Sequence, residues 1–161
     1  MRPISTPARK PGNDPVRPRK DGDRGTMDAM PVILDKDLTR GRSAFEQWKE
    51  AARMEHDPHT ADPALPRPVK AMAVRFSLHL LEQKAPGPGV EVRVAPWGAV
   101  KILDGPASDP HNLTPPDVIE LDPDVWLRLA SGITSWAEEK EAGHITAVGE
   151  RDDLSALLPL Y

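Results

Sequence analysis

The stretch 117–161 constrains the fold most, because strand and helix patterns alternate along it and each is bounded by its own capping residues. Residues 118–121 form a short apolar run with β-branched side chains, which predicts a strand. Asp122 and Pro123 follow as a helix cap and a first helical residue, where the missing N–H of proline does no harm. The helix that begins there carries apolar side chains at helical spacing, namely Val125, Trp126, Leu129 and Ile133.

Further signals divide the remainder of this stretch into three elements. Gly132 is predicted to end the first helix in the left-handed conformation. Ser135 and Glu138 form a capping box that opens a second helix, and Ile145–Val148 predicts a second strand. A last helix follows, and its apolar residues are Leu154, Leu157 and Leu158.

The region before this stretch predicts one long helix and a β-hairpin. Residues 69–84 present so broad an apolar surface that the helix is expected to be covered on more than one side. Residues 90–94 alternate apolar and charged side chains and lead through a turn into 99–103. Residues 105–116 form a loop with four prolines. The predicted fold class is α+β, a small and mostly antiparallel sheet of four to five strands with helices packed on one face.

Composition separates an N-terminal tail from the rest of the chain. Residues 1–42 are rich in proline, arginine, aspartate and glycine and have a net charge of +4, whereas the remainder has −8. With so few large apolar side chains, the tail cannot offset the entropy lost on ordering. The sequence therefore predicts a disordered tail over 1–42, or a true translation start at Met27 or Met30.

Two short segments are predicted between this tail and the folded domain. Residues 43–56 have the pattern of an isolated amphipathic helix, with Phe45 and Trp48 on its apolar face. Residues 57–67 are expected to be a stiff proline-rich linker. The folded domain is then expected over 68–161.

Composition also limits the classes of function. The chain contains no cysteine, which excludes disulfides and thiolate metal sites and agrees with a cytoplasmic location. No run approaches the roughly 18 apolar residues of a membrane span, so no stable membrane insertion is expected. The folded part is acidic, which disfavours nucleic acid as a partner because the phosphates would be repelled.

No arrangement of residues predicts catalysis or a bound cofactor. His56 and His59 have a spacing found in some metal sites, but the intervening proline breaks the helix that would align them, so a solvated linker is favoured. No histidine has the context of a catalytic triad, and no phosphate-binding or dinucleotide-binding glycine motif is present. We interpret Glu138, Glu139 and Glu141 as the polar face of a short helix. We therefore expect no enzyme activity, no metal and no cofactor.

A set of spaced apolar and glycine positions in the second half of the chain is typical of one known family. The positions are Asp122, Trp126, Leu129, Ser131, Gly132, Ala137, Gly143, Ile145, Gly149 and the closing run 154–158. Together with the segment 86–106, they resemble the sterol carrier protein family, in particular a small bacterial branch of sterol-carrier-like proteins. The resemblance covers residues 68–161 and includes no catalytic signature.

This resemblance implies a tunnel between the sheet and its helices that holds an apolar small molecule. Fatty acyl chains are favoured over sterols in a bacterial context, and the binding would involve no chemical step. Carried over by position, the wall and mouth of the tunnel are expected to contain Phe76, Leu80, Val92, Val94, Val100, Ile102, Ile119, Leu121, Trp126, Leu129, Ile133, Leu154, Leu157 and Leu158.

Two interpretations of these apolar residues stay open. Trp97, Trp126 and Trp136 either line a cavity, where an indole N–H meets the polar end of a ligand, or anchor an ordinary core. In the first case the protein carries an apolar molecule. In the second case it is a protein-interaction or accessory module with a solid core that docks a partner enzyme. The sequence has four clear strands where the family usually has five, which reduces the volume that the sheet encloses.

Overall fold

The computed structural model describes residue 3, residues 30–106 and residues 117–160. The chain divides into two units, Met1–Met30 and Pro31–Tyr161, and the helices and strands of the described residues belong to the second unit. Most of the predicted tail and most of the predicted proline loop lie outside the described residues.

In the described residues, four strands form one sheet: β1 (Pro86–Val94), β2 (Gly98–Ile102), β3 (Asp117–Leu121) and β4 (Ile145–Val148). Their order across the sheet is β2-β1-β3-β4. β1 pairs antiparallel with β2, and β3 pairs antiparallel with β4, while β1 and β3 run parallel. The prediction of a small, mostly antiparallel sheet is confirmed.

The part of the chain that the structure describes also has four α-helices: α1 (Leu38–Arg53), α2 (Arg67–Lys84), α3 (Pro123–Ser131) and α4 (Trp136–Glu141). Short 3-10 turns lie at Asp35–Asp37, Pro58–Thr60 and Ser155–Leu157. α2 packs on β1 and β2, α3 packs beside α2, and α1 packs on α2. The α+β class is confirmed. In the described part of the chain, no helix combines the length and the apolar character needed to cross a membrane.

Alternation along the strands explains which face of the sheet the helices of the described residues cover. Val92 and Val94 in β1 are fully buried, whereas Glu91 and Arg93 are partly exposed. Successive side chains of a strand point to opposite faces. On the open face, Arg93 lies 2.8 Å from a carboxylate oxygen of Glu91 and 3.3 Å from one of Glu120. The apolar face therefore meets the helices, and the charged face is partly exposed to solvent.

The N-terminal helix is longer than predicted, and it is not isolated. α1 begins at Leu38, inside the predicted tail, and its side chains Phe45 and Trp48 are fully buried. The ring centroids of Phe45 and Phe76 in α2 are 6.2 Å apart. The broad apolar surface of α2 explains this docking, because α2 requires cover on a second side and α1 supplies it. The helix therefore begins before residue 43 and ends before residue 56, so it differs from the predicted range 43–56 at both ends.

The predicted linker 57–67 is also a fixed part of the second unit. Asp57 caps the turn Pro58–Thr60 by accepting a hydrogen bond from the N–H of His59 at 3.0 Å. Ala61 is completely buried, and its carbonyl accepts from Arg128 Nη1 at 3.0 Å. The proline content predicted only a stiff spacer. It did not predict the hydrogen bond to Ala61, because the donor lies far along the chain in α3.

The ends of α3 and α4 follow the predicted capping chemistry. Ser135 and Glu138 form the capping box at the start of α4, and Gly132 and Gly143 both have a φ of 77°. The predicted last helix is shorter than expected, since only the 3-10 turn Ser155–Leu157 forms. Pro159 follows two residues later and lacks the N–H that a longer helix would need.

Candidate functional site

The residues predicted to line a tunnel come together between α2, α3 and the sheet. All fourteen belong to one apolar cluster or pack against it. The ten that are buried are Phe76, Val92, Val94, Val100, Ile102, Ile119, Leu121, Trp126, Leu129 and Leu154. The four that are partly buried at the margin are Leu80, Ile133, Leu157 and Leu158.

The polar atom of the central tryptophan in this cluster has a partner within the protein. Trp126 Nε1 donates to Ser77 Oγ at 2.8 Å. Ser77 Oγ in turn donates to the carbonyl of Ala73 at 2.8 Å, so the buried hydroxyl both accepts and donates. Trp126 is thereby fixed to α2, and its indole N–H is already used.

A C-terminal strap, residues 154–160, covers one end of the cluster. Leu154 anchors it and is almost completely buried. The N–H of Leu160 donates to the carbonyl of Ala130 in α3 at 3.0 Å. Lys84 Nζ at the end of α2 donates to the carbonyl of Leu157 at 2.8 Å. The strap therefore bridges the ends of α2 and α3.

An open groove of about 420 Å³, the strap groove, lies between this strap and the turn that joins α3 to α4. Two of the predicted site residues, Ile133 and Leu158, line it. Trp136, Ala137 and Pro159 contribute further apolar surface. Of the three leucines predicted at the mouth of the tunnel, only Leu158 lines this surface groove, and Ile133 joins it from the predicted helical wall.

One residue that lines this groove, Trp136, has a buried indole N–H without an acceptor among the described residues. Its Nε1 atom is inaccessible to solvent and has no acceptor among the described residues. Leaving such a donor unpaired costs on the order of 1–3 kcal/mol. Trp48 Nε1 in α1 is also without an acceptor among those residues, but Trp48 does not line the strap groove.

A buried ion pair lies where α3 meets α4. Arg128 Nε and Nη2 donate to the two carboxylate oxygens of Glu139 at 2.8 and 3.2 Å. The two side chains are only 5% and 3% exposed. Thr134 Oγ1 donates to Glu139 Oε1 at 2.9 Å, and His144 Nδ1 lies 2.6 Å from Glu139 Oε2. The network joins α3, α4 and the residue before β4.

Glu139 is therefore not part of a solvated helix face, and that prediction is wrong for this residue. Burial alone would raise its pKa, but hydrogen bonds from Arg128, His144 and Thr134 outweigh burial and hold the pKa below its ordinary value. One signal of this pair is present in the sequence. Arg128 interrupts the apolar run 125–130, and a charged residue in such a run requires a buried partner.

One of the two histidines considered as a metal site contacts α4 instead. Among the described residues, no group of three or more histidine, cysteine or acidic side chains could hold a metal ion. His56 and His59 are both exposed. His59 Nδ1 lies 3.3 Å from Glu138 Oε1 at the start of α4. This contact is a further attachment of the segment before α2 to the rest of the second unit.

Comparison with known proteins gives one family match. The family described as bacterial SCP ortholog matches residues 66–160. This range contains α2, the whole sheet, α3, α4 and the strap, and it leaves out α1. No curated protein matches the chain. The match agrees with the resemblance that the sequence carries over 68–161.

Proposed function

The chain belongs to the family of bacterial SCP orthologs, and from this premise we propose that it binds an apolar small molecule, such as a fatty acyl group, without changing it chemically. The strap groove is the proposed entrance, because it is apolar, open and adjacent to the buried cluster. Burial of apolar surface would supply the driving force, at about 25 cal/mol per Å² before the entropy lost on association.

The observation that carries this proposal is the unpaired indole N–H of Trp136 beside an apolar groove. Ligand sites commonly combine apolar walls with a few polar atoms that orient the ligand. A ligand with an acceptor oxygen at its polar end would satisfy Trp136 Nε1. Because that atom is covered, the groups around it must move when such a ligand enters, and we propose that the strap, which lines the groove through Ser155, Leu158 and Pro159, is the part that moves.

The charges around the groove favour a ligand with a neutral polar end. Among the described residues that line the groove there is no lysine or arginine, and Glu138 contributes a carboxylate. A free fatty acid would place a second carboxylate close to Glu138, which is repulsive. An ester, amide or alcohol oxygen accepts from an indole N–H without that penalty.

Titration of the full chain with 1-decanol and with decanoate tests this proposal. We expect 1-decanol to bind about tenfold more tightly and to raise the melting temperature by mass action. Trp136→Phe keeps the ring and removes the N–H. This variant should weaken 1-decanol binding by about threefold to tenfold, the range of one hydrogen bond.

A matched pair of variants locates the site. Ile133→Asp places a charge in the strap groove, whereas Val148→Asp places one on the exposed end of β4, where Val148 is 63% exposed. Loss of binding in the first variant alone supports the groove. Equal binding by both variants, or no binding of either decyl compound by the unmodified chain, contradicts the proposal.

A specific observation also supports a second candidate, the accessory module with a solid core. Ten of the fourteen predicted tunnel residues are packed within the cluster, and the indole N–H of Trp126 is bound to Ser77. In this candidate the domain docks a partner enzyme. Absence of decanol binding, together with absence of lipid from protein purified from its own host, would favour it.

A further inference from the structure

A cluster of three charged side chains ties the segment before α2 to the start of α3. Lys70 Nζ lies 2.8 Å from Asp62 Oδ1 and 2.6 Å from Asp124 Oδ1. Asp62 belongs to the joining segment, residues 54–66, which connects α1 to α2, and Asp124 lies in the first turn of α3. The side chains of Lys70 and Asp124 are 16% and 18% exposed. Two carboxylates therefore share one ammonium group; the side chains of Lys70 and Asp124 are largely buried, whereas that of Asp62 is 62% exposed.

Both charge balance and hydrogen bonding are incomplete at Asp124. With both carboxylates ionised, the cluster carries one excess negative charge. Asp124 Oδ1 is close to Lys70 Nζ but outside the directions of a hydrogen bond, so this buried oxygen has no hydrogen-bond partner among the described residues. One proton placed between the two carboxylates removes the excess charge and supplies the missing donor.

The charged groups around the cluster do not supply this compensation. From the joining segment, Glu55 Oε2 accepts from the N–H of Asp62 at 3.3 Å and adds negative charge. From α3, Arg128 lowers the pKa of Asp62, but its guanidinium is bonded to Glu139. His59 of the joining segment faces Glu138 of α4.

We propose that Asp62, Lys70 and Asp124 form a proton-operated clasp, in which uptake of one proton by the two carboxylates tightens the attachment of the joining segment to α3. In the protonated clasp, the O–H of Asp124 donates to Asp62 while Lys70 remains paired. In the deprotonated clasp, the two carboxylates repel each other across a single ammonium group. Asp62 and the other residues of this segment up to 65 precede the residues of the family match.

The direction of the pH effect follows from the two carboxylates. Burial raises the pKa of Asp124 to about 6, and the neighbouring Asp62 carboxylate adds to this rise against the opposing effect of Lys70. The stability that the raised pKa of Asp124 gives to the folded state is fully present below 3.8, the pKa of this carboxyl in the unfolded chain. It is lost as the pH rises through about 6. For Asp62, burial is outweighed by Lys70 and Asp124, and the pKa is lowered. Its contribution is present above the unfolded value and is lost only in more acidic solution.

Hydrogen exchange of the backbone amides in the joining segment of the full chain tests the proposal. Protection factors, corrected for the intrinsic effect of pH on exchange, are compared at pH 5.5 and pH 7.5. We expect about fourfold greater protection at pH 5.5, the ratio that a pKa change from 3.8 to about 6 gives over this interval. Equal protection at the two pH values overturns the proposal.

Two variants separate the clasp from a general effect of pH. Asp124→Asn is neutral at both pH values and should keep the higher protection at pH 7.5, without pH dependence. Asp122→Asn is the matched control, because Asp122 is exposed and makes no side-chain capping bond, and it should keep the fourfold difference.

A ¹³C titration of the Asp124 carboxyl in the unmodified chain gives a second test that requires no variant. A midpoint near 6 supports the clasp, and a midpoint below 4 overturns it.

Discussion

The two sides of α3 are both buried, but they are buried by different chemistry. On one side, Trp126 and Leu129 lie in the apolar cluster, and the one polar atom of Trp126 is bonded to Ser77 of α2. On the other side, Arg128 is bonded to Glu139 of α4 and to the carbonyl of Ala61. Every residue of α3 from Val125 to Ser131 is buried.

This difference determines how each side responds to substitution. An apolar contact loses stability in proportion to the surface and volume removed. A buried ion pair depends on both partners, because removal of one leaves the other charged and uncompensated. The apolar side should therefore tolerate apolar exchanges that conserve volume, and the polar side should lose stability when any one partner is removed.

Glu139→Ala should have the largest effect and tests the polar side directly. We expect a loss of about 3–5 kcal/mol in the free energy of unfolding, because Arg128 remains buried without a counter-charge. Urea denaturation at pH 7 measures this loss. The matched control is Glu141→Ala on the same helix, where the side chain is exposed and the change should stay within about 0.5 kcal/mol.

A double variant sharpens this result. Arg128→Met combined with Glu139→Leu removes both charges and should be less destabilising than Glu139→Ala alone, since no uncompensated charge remains. If Glu139→Ala and Glu141→Ala have equal effects, the ion pair does not contribute to stability, and the proposed contrast between the two sides of α3 is wrong.

Leu129→Trp should have an intermediate effect and tests the apolar side. Leu129 is 1% exposed within the cluster, and a larger ring in a filled core forces its neighbours apart. We expect a loss of about 1–3 kcal/mol by the same measurement. Leu158→Trp, at the margin where the strap groove is open, is the control and should change stability less. Unchanged stability of Leu129→Trp would instead indicate space inside the cluster.

Much of the fold could be predicted from local signals in the sequence. The capping box at Ser135 and Glu138, the left-handed glycine at Gly132 and the alternation along β1 each depend on neighbouring residues, and each is present in the structure. The docking of α1 could not be predicted in this way. Its apolar face gives a helix pattern, but the pattern does not identify α2 as the surface that covers Phe45 and Trp48.

The candidate site was predictable only in its apolar part. Hydrophobic periodicity and the family resemblance identified the fourteen residues that gather around Trp126. The polar contacts were not predictable, because each joins residues far apart in sequence, such as Arg128 with Ala61 and Lys70 with Asp124. Helical spacing places Glu139 on one face of α4, but only the tertiary structure shows that this face is buried.

Gly132→Ala and Gly143→Ala should have the smallest effects, and together they isolate the strap. Both glycines follow a helix with a φ of 77°, a conformation that costs an L-residue about 1–2 kcal/mol. A Cβ at Gly143 meets nothing within 4 Å, whereas a Cβ at Gly132 lies 3.1 Å from Pro159 Cβ in the strap. The backbone penalty is therefore common to the two variants, and the contact with the strap belongs to Gly132 alone.

We expect both variants to lose about 1–2 kcal/mol from backbone strain, with Gly132→Ala losing a few tenths of a kcal/mol more, because Pro159 must move to accept the methyl group. Urea denaturation gives the two values. Hydrogen exchange at the N–H of Leu160, which is bonded to Ala130, reports the strap separately and should become faster only in Gly132→Ala. Unchanged exchange there would mean that the strap adapts freely. A freely adapting strap would strengthen its proposed role as the movable cover of the groove, whereas faster exchange would show that its position depends on close packing against the end of α3.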